Sequence, residues 1–289
     1  MKKILALVLT VCMLLASVCA FAEGKPVYIA LGDSISAGYG LNEGEKNFPE
    51  IVAGKKGYSL INHAVNGNTS TDIMEQMRDS TVLNDVMKAD VITITCGGND
   101  LLHSLYEYVA DIYNDDKNRS HQIQPTDILD ILADPDEPRY EELLQATLTG
   151  LTGNAQKDIL PFTLSSEIQT AMADYLKNMS MILTGIQVVN PDAKIIVCTQ
   201  YNPYKFFDGI YIGMNLAMES GAMLLSGAIT TYSALFGCQV ADVYKTFSEH
   251  EENLCNADLT TKNLDFHPNA KGHEVIAECV IKAIDTVEE

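Results

Sequence analysis

Short runs rich in valine and isoleucine alternate with stretches of helical periodicity along these 289 residues, and that alternation constrains the fold most. Pro26 to Leu31, Ser59 to Ala64, Val91 to Cys96, Lys194 to Thr199 and Cys238 to Val243 have the length and continuous apolarity of strands covered on both faces. Ile168, Met172, Tyr175, Met179, Ile182 and Ile186 recur at spacings of four and three, one stripe of a helix that stops at Asn190-Pro191. Val275, Ile276, Cys279, Val280, Ala283 and Ile284 repeat the pattern in a final helix. Such stripes serve core packing, not a cofactor. The order predicts an open α/β sheet of about five parallel strands with helices on both faces, and ligands in such sheets bind beyond the carboxyl ends of the strands.

Every chemically suggestive segment falls at one of those ends. Gly32-Asp33-Ser34 follows the first strand, Asn66-Gly67-Asn68 the second and Gly97-Gly98-Asn99-Asp100 the third, while Asp265-Phe266-His267-Pro268 precedes the last helix. A serine hydroxyl is a poor nucleophile until a base takes its proton and a carboxylate holds that base in the right tautomer. Ser34, His267 and Asp265 supply one candidate for each role. Attack on a carbonyl also requires donors facing the oxyanion, a task suited to an amide at the Gly67 turn and to the Asn99 side chain. Asp33 and Asp100 flank these segments and are read as shaping their own turns. Each motif alone is weak, because glycine, asparagine and aspartate are ordinary turn residues; their joint order is the signal.

Location is read from the N-terminus. Lys2 and Lys3 lead an uncharged run from Ile4 to Val18, and Ala20-Phe21-Ala22 has the small-x-small pattern of a cleavage site, so residues 1–22 are expected to be an export signal of bacterial type. The run is short for a membrane span of about 20 residues, so no stable membrane insertion is expected. Without Lys2 and Lys3 the net charge moves from −20 to −22, which disfavours nucleic acid and anionic membranes as partners. No linker or repeat divides residues 23–289, and one domain is expected. Cys96, Cys198, Cys238, Cys255 and Cys279 remain, an odd number without paired spacing; one bridge among the last three is left open. No CxxC or HxxxH spacing marks a metal site, and no cofactor is called for.

The four blocks resemble those of the SGNH hydrolases, the GDSL family of esterases and lipases: Gly32-Asp33-Ser34-Ile35, Gly67, Gly97-Gly98-Asn99-Asp100 and His267-Pro268-Asn269. The resemblance implies a flavodoxin-like three-layer α/β/α sandwich, Ser34 as nucleophile, His267 as base, and an oxyanion hole from the Ser34 and Gly67 amides and the Asn99 side chain. It also implies metal-free hydrolysis of esters. One position departs from the pattern. The family commonly places its aspartate three residues before the histidine, where this chain has Leu264; Asp265, two residues before, is the nearest carboxylate, and a backbone carbonyl is the alternative orienting group.

Residues 101–165 are long for a connection and rich in acids, among them Asp111, Asp115, Asp127, Asp130, Glu141 and Glu142, with Pro125, Pro135, Pro138 and Pro161 interrupting. A partly helical lid or substrate wall is expected there, against the alternative of a solvated acidic insertion. His63, His103, His121, His250 and His273 receive no role. The reading is a secreted or cell-envelope serine esterase that acts through an acyl-serine on a carboxylic ester, whether an acylated carbohydrate, a short-chain ester or a lysolipid. A neutral His267 is required, so activity is expected to rise with pH through the ordinary histidine range near about 6.5. Two rivals stand beside it: a carbohydrate- or protein-binding domain whose active site has eroded at Leu264, and an O-acyltransferase using the same serine.

Overall fold

The computed structural model describes residues 24–116, 121–134, 136–261 and 263–286, so the expected export signal lies outside the described residues. Strands β1 (Val27–Leu31), β2 (Ser59–Asn62), β3 (Val91–Ile94), β4 (Lys194–Cys198) and β5 (Gln239–Ala241) form one sheet in the order β2-β1-β3-β4-β5, every pair parallel. Each strand starts and ends within about two residues of the apolar run that signalled it. The central strands β1 and β3 are buried almost throughout, whereas the edge strand β2 is only half covered.

The helices are α1 (Ser34–Ala37), α2 (Phe48–Lys56), α3 (Ser70–Gln76), α4 (Ser80–Val86), α5 (Gly98–Asp115), α6 (Asp127–Ala133), α7 (Tyr140–Thr152), α8 (Ser166–Val189), α9 (Ile212–Leu235), α10 (Val243–Glu249) and α11 (Ala270–Asp285). On one face α11 packs against α2 and over β4 and β5; on the other, α3, α5 and α9 gather around α8. The α8 stripe is buried as its spacing predicts, from Ile168 to Ile186, and Asn190 ends the helix. Among the described residues α9 is the one helix long and apolar enough to cross a membrane, with a mean hydropathy of 1.2. Here it packs on α8 and over β4 and β5, burying Met214, Ala222, Leu225 and Ile229.

Residues 101–165 are helical over most of their described part, and they share the main core. Leu105, Val109, Tyr113, Ile123, Ile128, Ile131, Leu143 and Leu151 join the same buried cluster as the strands, while Asp111, Asp115, Asp130, Glu141 and Glu142 face solvent. The acids thus mark the outer face of an added helical layer. Strand order reverses around β1, and the switch point lies between β1 and β3, where the crevice of such a sheet opens.

One histidine couples the layers to pH. His273 of α11 is fully buried, accepts the Phe48 amide on Nδ1 at 3.2 Å, and leaves its Nε2 without a partner. Burial, and then the nearby charge of His267, push its pKa down to about 4. The unfolded chain takes up this proton near about 6.5 and the folded chain only near about 4, so stability falls as pH drops through that window, by about 3 kcal/mol in all. Denaturant unfolding between pH 7 and 4.5 is expected to show a flatter dependence in His273→Phe than in the parent; parallel slopes would contradict the assignment.

Candidate active site

At the carboxyl edge of the sheet Leu31 pairs with Ile94, and the next residue, Gly32, has φ +148°. A Cβ at Gly32 would run into Thr95 Oγ1 and lie 2.8 Å from the Thr95 carbonyl oxygen, so only glycine lets β1 leave the sheet this close to β3. Asp33 then caps α1. Its Oδ1 accepts from the Ile35 amide at 3.0 Å and from the Thr95 hydroxyl at 2.9 Å. That occupies the Thr95 proton, so Ser36 donates its hydroxyl to Thr95 Oγ1 at 2.8 Å. Asp33 therefore shapes its own turn, as the sequence reading has it. Burial pushes its carboxyl up against the opposing pull of these bonds and of His267. The result is a fixed platform that presents Ser34 as the first residue of α1, with Ser34 Oγ 2.9 Å from His267 Nε2.

His267 sits in the connection from β5 to α11. Its Nδ1 lies 2.6 Å from Asp265 Oδ1, and the same oxygen accepts the His267 backbone amide at 3.1 Å. This Asx-type turn answers the spacing question: a carboxylate two residues back reaches the imidazole because it also closes its own turn. With Nδ1–H donated to Asp265, the lone pair on Nε2 faces Ser34, the tautomer these bonds assign. Partial burial works to raise the Asp265 carboxyl, but hydrogen bonds from the His267 ring and amide outweigh it and hold it below the usual range. The main chain on either side is pinned as well. Tyr204 donates to the Leu264 carbonyl at 2.8 Å and Tyr201 to the Phe266 carbonyl at 3.1 Å, both from buried rings in the loop after β4. The His267 ring packs against Tyr39 and Phe266, with centroids 4.5 and 4.4 Å away.

The other two segments meet beside this pair. Gly67 turns at φ +83°, and its turn hangs on the Gly32 carbonyl, which accepts from the Val65 amide at 3.1 Å and from Asn68 Nδ2 at 3.3 Å. Asn99, in the first turn of α5, donates Nδ2 to the Asn68 carbonyl at 2.9 Å. Asp100 does more than shape its own turn, contrary to the sequence reading. It accepts the Ser70 amide at 2.9 Å and the Ser70 hydroxyl, and Asn178 of α8 donates to that same hydroxyl at 3.0 Å. Burial raises the Asp100 carboxyl against these bonds. The blocks that carry Gly67 and Asn99 are thus tied to one another and to the Ser34 turn.

The remaining candidates lie elsewhere. His63 bonds Asp85 at 3.0 Å just beyond β2, and His250 accepts the Glu252 amide at 3.2 Å in its own loop. Cys96, Cys198, Cys238, Cys255 and Cys279 are free thiols. Tyr201, Tyr204, Asn178 and Asn256 escaped the sequence reading, since a single polar residue in a loop or helix has no periodicity to betray it.

A hydroxyl, an imidazole and a carboxylate in line at the switch point of a five-stranded parallel sheet, beside a glycine turn and an asparagine, define the SGNH class of hydrolase fold. Residues 30–275 match the GDSL-like lipase/acylhydrolase family, and the chain belongs to it. YpmR of Bacillus subtilis (strain 168), an uncharacterized protein, is 25% identical across 97% of this chain and 92% of its own length. The spore germination lipase LipC of Bacillus licheniformis is 39% identical over 87 residues, 28% of this chain and 41% of LipC. Among solved structures, the lipase Lip_vut3 from a goat rumen metagenome superposes with a TM-score of 0.58 at 22% identity, over 90% of this chain and 97% of that one. At that identity the likeness is one of fold.

Proposed function

We propose that this protein is an exported serine esterase that cleaves carboxylic esters through an acyl-Ser34 intermediate. The observation that carries the reading is the line Asp265 Oδ1, His267 Nδ1, His267 Nε2, Ser34 Oγ, with separations of 2.6 Å and 2.9 Å at the two hydrogen bonds. Ser34 Oγ attacks the ester carbonyl while its proton passes to His267 Nε2, and Asp265 stabilises the imidazolium that forms. The tetrahedral intermediate expels the alcohol, which takes the proton back from Nε2. Water then enters, gives its proton to His267 and attacks the acyl carbon, and collapse returns the proton to Ser34 Oγ and releases the acid.

Three donors are assigned to the oxyanion. The Ser34 amide is at the first position of α1, where no intrahelical acceptor exists. The Gly67 amide is at the neighbouring turn, and the second N–H of the Asn99 amide remains once the first is given to Asn68. Asn99→Ala is expected to lower kcat by roughly 10²- to 10³-fold with little change in KM, because the donor acts on charge that exists only after attack. A loss confined to KM would remove Asn99 from that role.

The 2.6 Å contact of Asp265 with His267 speaks against the eroded-site alternative, which rests on Leu264. Export is supported by Lys2, Lys3, the run from Ile4 to Val18 and Ala20-Phe21-Ala22. Acylated carbohydrates, short-chain esters and lysolipids present the same carbonyl to this machinery. Release of nitrophenol from p-nitrophenyl acetate by the mature protein, rising from pH 5 to 8 as a histidine deprotonates, is the expected result. Background release across that range and across longer acyl chains would overturn the esterase reading.

A further inference from the structure

Asp265 Oδ1 is fixed by two bonds from His267, but a carboxylate plane is not fixed by one oxygen, because χ2 of aspartate is a broad two-fold torsion. The other oxygen, Oδ2, accepts from Asn256 Nδ2 at 3.1 Å, and the same amide nitrogen donates its second proton to the Gly40 carbonyl at 3.3 Å. Asn256 is itself held. Its backbone amide donates to the His267 carbonyl at 2.9 Å, its carbonyl accepts from Asn263 at 3.0 Å, and Cys255 bridges Pro268 next to it. Gly40, at φ +85°, makes room for the contact: a Cβ there would lie 2.6 Å from Asn256 Nδ2 and 3.2 Å from Asp265 Oδ2. Two segments far apart in sequence thus close on the back of one carboxylate.

We propose that Asn256 is a positioning residue, which holds Asp265 in the plane of the His267 ring and so makes a carboxylate two residues before the base serviceable. Its kinetic consequence rests on the esterase reading, while its geometric core concerns only the Asp265–His267 pair. The Tyr201 and Tyr204 hydroxyls set where the main chain runs; Asn256 sets how the carboxylate is turned. Loss of Asn256 frees Oδ2 to rotate, so that the imidazolium loses alignment with its partner and the tautomer with Nε2 open toward Ser34 becomes less populated.

The test uses the mature protein with Asn256→Ala, Asp265→Ala and the double variant. In Asn256→Ala, kcat is expected to fall roughly 10- to 100-fold with KM nearly constant, and the acid limb of kcat/KM to move to lower pH. In the Asp265→Ala background the same change is expected to cost nothing further, since Asn256 acts through Asp265. Additive losses would mean an independent structural role and overturn the proposal. An NMR titration of the His267 ring without substrate reads the same contact whether or not the protein turns over esters. Its midpoint is expected to fall in Asn256→Ala, with Asp33 and His273, the other ionisable groups that feel His267, unchanged. An unmoved or raised midpoint overturns the proposal, whereas a lowered midpoint in a protein inactive on every ester would overturn only the esterase reading.

Discussion

Ser34→Ala is expected to lower kcat/KM for ester hydrolysis by on the order of 10⁴-fold or more, while denaturant unfolding shows stability little changed. The size of the loss follows from the proposed covalent route. Without the Ser34 oxygen no acyl-enzyme forms, and only the oxyanion donors and substrate binding remain to assist direct attack by water. The substitution removes one hydroxyl that, among the described residues, bonds His267, and Asp33, Ser36 and Thr95 keep the turn as it is. Full activity in Ser34→Ala would mean that another group is the nucleophile.

His267→Ala is expected to cost about as much as Ser34→Ala, and Asp265→Ala less by roughly 10- to 100-fold. In the proposed mechanism the base is indispensable, because the serine proton has nowhere else to go. The carboxylate is supportive: in its absence the ring remains packed against Tyr39 and Phe266, and a fraction of histidines still presents the correct tautomer. Because the three groups act as a unit, Ser34→Ala with His267→Ala is expected to be no worse than either alone. Equal losses from Asp265→Ala and His267→Ala, measured as kcat/KM, would argue against a supporting role for the carboxylate.

Much of the sheet was legible because buried parallel strands leave an unmistakable mark. The runs from Val91 and Lys194 are buried on both faces, and among the described residues no helix of similar length shares their run of Val and Ile. The long stripe in α8 was equally plain. The helical layer of residues 101–165 was harder to read, since Asp and Pro break it into separate helices, and spacing alone does not say that Leu105, Val109, Tyr113 and Leu143 pack into the main core. At the site, the order of the four blocks pointed to Ser34, Gly67, Asn99 and His267, whose segments meet at one crevice, yet not to how they are held. The reach of Asp265 depends on an Asx turn and on Tyr201 and Tyr204, which lie 65 and 60 residues before the carbonyls they bond. Asp100 was read as a local turn former because its partner Ser70 lies across the crevice. Burial of His273 was invisible for a related reason: helical spacing places it on a face, and tertiary packing decides what covers that face.

Activation of Ser34 by His267 predicts a labelling pattern for a serine-directed probe. Incubation of the protein with a fluorophosphonate, followed by peptide mapping with mass spectrometry, tests that activation. One adduct is expected, on Ser34, formed rapidly by the parent and at background rate by His267→Ala. Absence of an adduct on the parent, an adduct on another residue, or labelling of Ser34 at equal rates in both proteins would contradict it.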